Sequence, residues 1–190
     1  MRFLTMSGAG NAFVVFDARE QPLAASPELI RAVTDPARGA GADHVFVQEP
    51  PSDPRADVFM RIWNADGEEV SACGNGERCV GWLAMRESGW DAAVIQTAER
   101  LLVAQAAGPM RVTVDMGAPK LDWTEIPLAE RMDTVRIELQ VGPIDAPVLH
   151  SPGAVSMGNP HVVFFVADAE AAPVREVGPM IEHHPLFPER

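Results

Sequence analysis

Cysteine is scarce in this sequence, with two among 190 residues. Two thiols cannot build a disulfide framework or a four-thiolate zinc site. Positive charge is also scarce: 15 Lys and Arg stand against 27 Asp and Glu, a formal net charge of -12. Clustered basic residues are what a phosphate-binding face needs, so nucleic acid is not an expected partner. No apolar run approaches the roughly 20 residues that span a bilayer, so no membrane partner is expected either. The segment Met1-Arg2-Phe3-Leu4-Thr5-Met6-Ser7-Gly8 reaches glycine too soon for a signal-peptide core, and the expected location is cytoplasmic. There is no Walker loop, dinucleotide fingerprint, serine elbow or His-Glu-x-x-His motif. His150, His183 and His184 have no metal-ligand spacing and read as surface or packing residues, so no metal site is expected.

What is present is ordinary globular composition, 47% apolar and 22% charged. The length suits one large domain or two small ones. The chain starts as strand, glycine-rich turn and strand, the second strand being Phe13-Val14-Val15-Phe16. Ser26 is an N-cap candidate, and Pro27 suits the first position of a helix that Pro36 and Gly39 end. Further strands are expected at Val45–Val47 and Val58–Trp63, the latter followed by an Asp66-Gly67 hairpin turn. From Cys73 a helix runs to about Ser88-Gly89. Between Cys79 and Met85 it is apolar on nearly every side, which marks a buried helix. Strands at Ala93–Ile95, Leu101–Val103 and Val112–Val114 follow, and Gly117-Ala118-Pro119 suggests a domain boundary. Beyond it, strands are expected near 135–141 and 162–166 and a helix near 169–181. Many short strands around few helices make an α+β fold.

One pattern occurs twice. Gly10-Asn11-Ala12-Phe13-Val14-Val15-Phe16 matches Gly158-Asn159-Pro160-His161-Val162-Val163-Phe164 at five of seven positions, at an offset of 148 residues. Duplication and chance both account for so short a match. If it is duplication, the chain holds two copies of one α+β unit, an arrangement that favours a site at a domain interface. The second counterpart of Cys73 would then fall near position 221, beyond Arg190.

Cys73 stands where a turn enters the buried helix. Unpaired N–H groups there carry positive partial charge and would lower a thiol's pKa. Gly74 and Gly76 would let the backbone approach a bound anion such as a carboxylate. A buried structural cysteine beside a glycine turn is the other reading. Cys79 falls in the apolar run and reads as core. Asn11, Asn64, Asn75 and Asn159 stand at turns or strand ends, where amides supply both donors and acceptors for a zwitterion. His161 opens a strand after Asn159-Pro160.

These segments together resemble the diaminopimelate epimerase family. The resemblance is carried by Met6–Val15, by Arg61-Ile62-Trp63-Asn64-Ala65-Asp66-Gly67-Glu68-Glu69-Val70, and by Cys73-Gly74-Asn75-Gly76-Glu77-Arg78-Cys79. Ser156-Met157-Gly158-Asn159-Pro160-His161 and His184-Pro185-Leu186-Phe187-Pro188-Glu189-Arg190 complete it, in family order. It implies two pseudo-symmetric domains, each of strands wrapped around a central helix, at 1–117 and 118–190, with the second incomplete here. It implies a cofactor-independent isomerase that interconverts LL- and meso-diaminopimelate in lysine and peptidoglycan biosynthesis. By the same resemblance Cys73 is one catalytic cysteine, and Asn11, Asn64, Gly74, Asn75 and Asn159 bind substrate. His161 tunes the cysteine pair. The expected partner is the small-molecule substrate, and a homodimer is left open.

Two positions depart from the family pattern: Ala12 replaces a usual aspartate, and His44 a usual substrate-contacting glutamine. In the family, a second catalytic cysteine follows the Pro-Glu-Arg segment, and this sequence stops at that segment. Three readings result: a diaminopimelate epimerase given as part of its chain, a truncated non-racemising relative that binds a ligand or partner, and another isomerase of the same fold. The 190 residues alone are expected not to invert the substrate.

Overall fold

In a computed structural model, residues 3–189 are described. Met1 and Arg2 of the N-terminal segment and Arg190 of the final motif lie outside the described residues. The chain divides after Gly117 into two compact units.

The first unit opens with a hairpin, β1 (Phe3–Gly8) and β2 (Asn11–Asp17), joined by Ala9 and Gly10. Both linking residues have positive φ, 50° and 95°, the conformation that lets a two-residue turn follow the strand twist. Helix α1 (Pro27–Thr34) then starts as its sequence predicts: the Ser26 hydroxyl accepts the Leu29 N–H at 3.3 Å, and proline stands in the first turn. Next come β3 (His44–Glu49), β4 (Val58–Asn64) and β5 (Glu69–Val70), and the buried helix is α2 (Gly74–Ser88). Strands β6 (Ala92–Gln96), β7 (Leu101–Ala106) and β8 (Val112–Asp115) finish the unit. The sheet runs β1-β2-β3-β4-β6-β7-β8, with β5 on β4. Most neighbours are antiparallel, but β2 with β3 and β4 with β6 are parallel.

Helix α2 packs against β1, β2, β6, β7 and β8, so one end of the sheet and the other both close on it. Cys79, Val80, Gly81, Leu83, Ala84 and Met85 are buried, as the all-round apolar pattern predicts, and Trp82 is half-buried. Phe13, Phe46, Met60, Ile62, Ile95 and Leu102 fill the space around them. Gly76 is fixed by this packing: a Cβ placed there would lie 2.0 Å from the Phe46 ring. The helix therefore needs glycine at this position for core fit, rather than for approach to an anion as its place in the motif suggests. A second core, between α1 and the outer face of the sheet, contains Val14, Phe16, Ile30, Val45, Val47 and Trp63.

The second unit is less regular. Its elements are β9 (Gln140–Val141), β10 (Leu149–His150), β11 (Gly153–Ser156), β12 (Pro160–Val163) and α3 (Val174–Glu182). They form two separate two-stranded sheets, β9 with β10 and β11 with β12. Ile126, Leu128, Ile137, Leu139 and Ala154 form a small core, with Phe164, Ile181 and Phe187 packed on it. Three expectations are corrected. The strand expected near 135–141 is reduced to Gln140–Val141. The strand expected near 162–166 lies at 160–163, and Phe165 is 92% exposed. The helix expected from Ala169 starts at Val174, because Pro173 sits at its N-cap and a proline cannot continue a helix from before it. Among the described residues no helix is long and apolar enough to cross a membrane. The architecture is α+β, dominated by short strands.

Candidate active site

Cys73 is the N-cap residue of α2. Its carbonyl accepts the Glu77 N–H at 2.9 Å, the first hydrogen bond of the helix. The cysteine side chain makes no capping hydrogen bond. The sulfur is half-buried, and burial pushes its pKa up, contrary to the lowering expected from a helix start. The N–H groups of Gly76 and Asn75 and the Arg78 charge pull it down, and the Glu77 carboxyl adds to the rise. Desolvation thus outweighs the helix terminus here. Cys79 is buried in the core, and both cysteines are free thiols.

Asn75 and Asn11 are brought together. The Asn75 Nδ2 donates to Asn11 Oδ1 at 2.8 Å, and Asn11 Nδ2 donates to Asp43 Oδ2 at 3.2 Å. Asp43 Oδ2 also accepts the Ala12 N–H at 2.9 Å, and Arg78 donates to Asn75 Oδ1. The result is a polar chain, Asp43–Asn11–Asn75–Arg78, that joins β2 to the first turn of α2. The Ala12 N–H and the Asn11 amide hold the Asp43 carboxyl below its ordinary value. Ala12, which lacks a carboxylate of its own, is thereby served by Asp43 through its backbone.

Asn64 ends β4, level in the sheet with His44 on β3. Its N–H donates to Glu68 O at 2.8 Å, closing the Asp66-Gly67 turn. The turn is tied to α1, where Arg31 Nη1 donates to Asp66 O at 2.8 Å. His44 stacks on Phe46 and tilts against Phe13. Burial lowers its pKa, which favours the neutral ring. Gly74 occupies the first helical turn, with ordinary room around it: the nearest atom to an added Cβ is 3.8 Å away.

Glu77 stands inside the Cys73–Cys79 motif, but the sequence alone assigns it no role. It is fully buried, at 0% exposure. Its Oε1 accepts the Cys73 N–H at 3.3 Å, and its Oε2 has no partner among the described residues. Burial pushes its pKa up, against the opposing pull of the Cys73 N–H and of Arg100 and Arg78. A glutamate one helical turn after an N-cap is the available sequence signal, since its side chain can reach back to the orphan N–H.

The second unit carries Asn159 and His161. Asn159 is exposed in the β11–β12 turn, and its carbonyl accepts the Met157 N–H at 3.2 Å. His161 is exposed on β12 and borders an apolar cleft of about 760 Å³ between that strand and α3. In the first unit, a cleft of about 420 Å³ is lined by Ser7, Gly8, Arg78, Cys79 and Trp82, among others; Cys73 does not line it.

Comparison with known proteins adds the decisive observation. The family model described as diaminopimelate epimerase matches residues 3–121, the whole stretch that builds the α2 site. The chain belongs to the diaminopimelate epimerase family. It is 53% identical to the diaminopimelate epimerase of Caulobacter vibrioides (strain NA1000 / CB15N), over 98% of this chain and 67% of that relative. It is 54% identical to the diaminopimelate epimerase of Phenylobacterium zucineum (strain HLK1), over 98% of this chain and 66% of that relative. The chain thus spans about two thirds of the length of these relatives. A solved structure of a predicted epimerase from Pseudomonas aeruginosa is similar in fold, with a TM-score of 0.58 at 19% identity over 94% of this chain and 66% of that one. The family's enzymes are isomerases.

Proposed function

We propose that this chain is the Cys73-bearing part of a diaminopimelate epimerase, which interconverts LL- and meso-diaminopimelate without a cofactor. The observation that carries the reading is the placement of Cys73 as N-cap of a buried helix whose next residue but one, Asn75, is hydrogen-bonded to Asn11. In the reaction a cysteine thiolate takes the substrate's α-proton. The Cα–H bond breaks, an S–H bond forms, and the electron pair moves toward the substrate carboxylate. A thiol on the opposite face then returns a proton to the carbon, which inverts it. Acid and base must stand on opposite faces, so two groups are needed, and by the family resemblance both are cysteines.

Helix N–H groups at Gly74 and Asn75 are the proposed stabilisers of the carboxylate as negative charge grows on it. Asn11, Asn64 and Asn75 are the proposed amide contacts. Asn159 as a substrate contact and His161 as a tuning residue come from the resemblance alone. The raised thiol of Cys73 fits a site in which the substrate's own ammonium charge favours the thiolate, and in which exclusion of water makes that thiolate, once formed, a stronger base. The reading carries with it a cytoplasmic location and leaves a homodimer as a candidate assembly.

The test uses the purified 190-residue polypeptide with LL-diaminopimelate in deuterium oxide. The expected result is α-deuteration without inversion, lost in Cys73→Ala. Epimerisation by this polypeptide alone would refute the single-thiol account. Binding with no deuteration at all would favour a non-racemising ligand-binding relative.

A further inference from the structure

The buried acid next to Cys73 has no place in the reaction just described. Its environment is unusual for a carboxyl group: 0% exposure, one oxygen on the Cys73 N–H at 3.3 Å, and the other oxygen with no partner among the described residues. A glutamine would reach back to the same N–H without bringing an ionisable group into the core. A buried carboxyl is retained at a cost, and here it faces the one residue whose ionisation the reaction needs.

We propose that Glu77 is a positioning residue for Cys73, one that holds the cysteine backbone through its N–H and sets a buried acidic group one helical turn from the thiol. The inference rests on the reading of Cys73 as the catalytic thiol, but its test does not use epimerase activity. Glu77 and Cys73 lie on one turn, so a negative charge on Glu77 opposes a second one on the sulfur. Among the other charged groups near α2, Asp43 reaches the helix only through Asn11 and Asn75, and its carboxylate is held by the Ala12 N–H. Arg78 lies on the helix and donates to Asn75, and Arg100, from the β6–β7 turn, donates to Met116 O at 2.9 Å; both pull Glu77 toward ionisation. Cys79 is on the next turn. On the packed strands, β3 brings His44, β8 brings exposed Asp115, and β2 ends in Asp17, which is paired with Arg19. Strands β1, β6 and β7 bring no ionisable side chain. Glu77 is therefore the acidic group placed to act on the Cys73 thiol at close range.

The experiment is alkylation of the 190-residue chain by iodoacetamide across roughly pH 6 to 10. Trypsin cleavage at Arg78 separates the Cys73 peptide from the Cys79 peptide, so the label is assigned by mass. In Glu77→Gln, Cys73 is expected to react on the order of threefold to tenfold faster near pH 9, with the midpoint of its profile moved down. Glu77→Asp keeps the charge but shortens the reach. It is expected to keep the wild-type midpoint while losing protection of the Cys73 amide against hydrogen exchange. An unchanged or raised midpoint in Glu77→Gln overturns the proposal. A midpoint in Glu77→Asp that falls below the wild-type value overturns it too, and that arm remains readable if the glutamine variant does not fold.

Discussion

Phe16 and Phe164 hold the same place in a repeated pattern, yet their surroundings differ. Phe16 is 6% exposed on a strand paired on both sides, by β1 and by β3. Phe164 follows a strand paired on one side only, and its neighbour Phe165 is 92% exposed. The two hairpins share a positive-φ glycine, 95° at Gly10 and 112° at Gly158, as tight turns require. Their registers differ by one residue. Gly8 pairs with Asn11 across two linking residues, whereas Ser156 pairs with Pro160 across three. Because side chains alternate along a strand, one residue of slip exchanges the faces. Local sequence sets the hairpin, and the neighbours across the sheet decide whether its side chains are buried.

The largest expected break in this comparison is in the phenylalanines. Phe16→Ala should destabilise the chain by about 3–5 kcal/mol, and Phe164→Ala by about 1 kcal/mol or less, in urea melts followed by tryptophan fluorescence. Equal costs would mean that the second unit is as tightly built as the first. Gly76→Ala comes next. The Cβ would overlap Phe46, and a loss of about 2–3 kcal/mol is expected, recovered in part by a smaller residue at position 46.

A pH series sharpens the comparison further. The folded pKa of Glu77 lies above its unfolded value, so its contribution is fully present at low pH and is lost as pH rises through the folded value. Thermal melts should therefore show wild type losing ground to Glu77→Gln as pH rises from the ordinary carboxylate range toward neutrality. A constant difference would contradict the burial of this acid. The smallest effect is expected at the turns: Gly10→Ala and Gly158→Ala should each cost about 1 kcal/mol, because both positions require positive φ.

The first unit is well legible in sequence, and for identifiable reasons. Ser26-Pro27 and the all-round apolar run at 79–85 are local signals that the tertiary structure reinforces. In the second unit, Val135, Ile137, Leu139 and Val141 alternate as a strand would, and Ile137 and Leu139 are indeed buried. The regular ladder is confined to Gln140–Val141; beyond it Ser151 N–H still donates to Leu139 O and Ile137 N–H to Pro152 O, but Ser151 has a positive φ of 49°, which interrupts the extended strand opposite. Of the site, the position of Cys73 is legible and its ionisation is not. A helix start can be read from a glycine turn, but desolvation depends on what the rest of the chain stacks over the sulfur. Glu77 escapes for the same reason: its character comes from being buried, and nothing in its neighbours' identities announces that.

The contact between Gly76 and Phe46 has a mechanical consequence. A ring wedged against a bare backbone fixes how deep α2 sits and how far it can turn about its axis. Cys73 and Asn75 on the helix, Asn11 on β2 and His44 on β3 are therefore coupled parts of one rigid body. Within the first unit these four side chains keep their mutual spacing, because shifting any one of them means moving the helix off the ring that seats it.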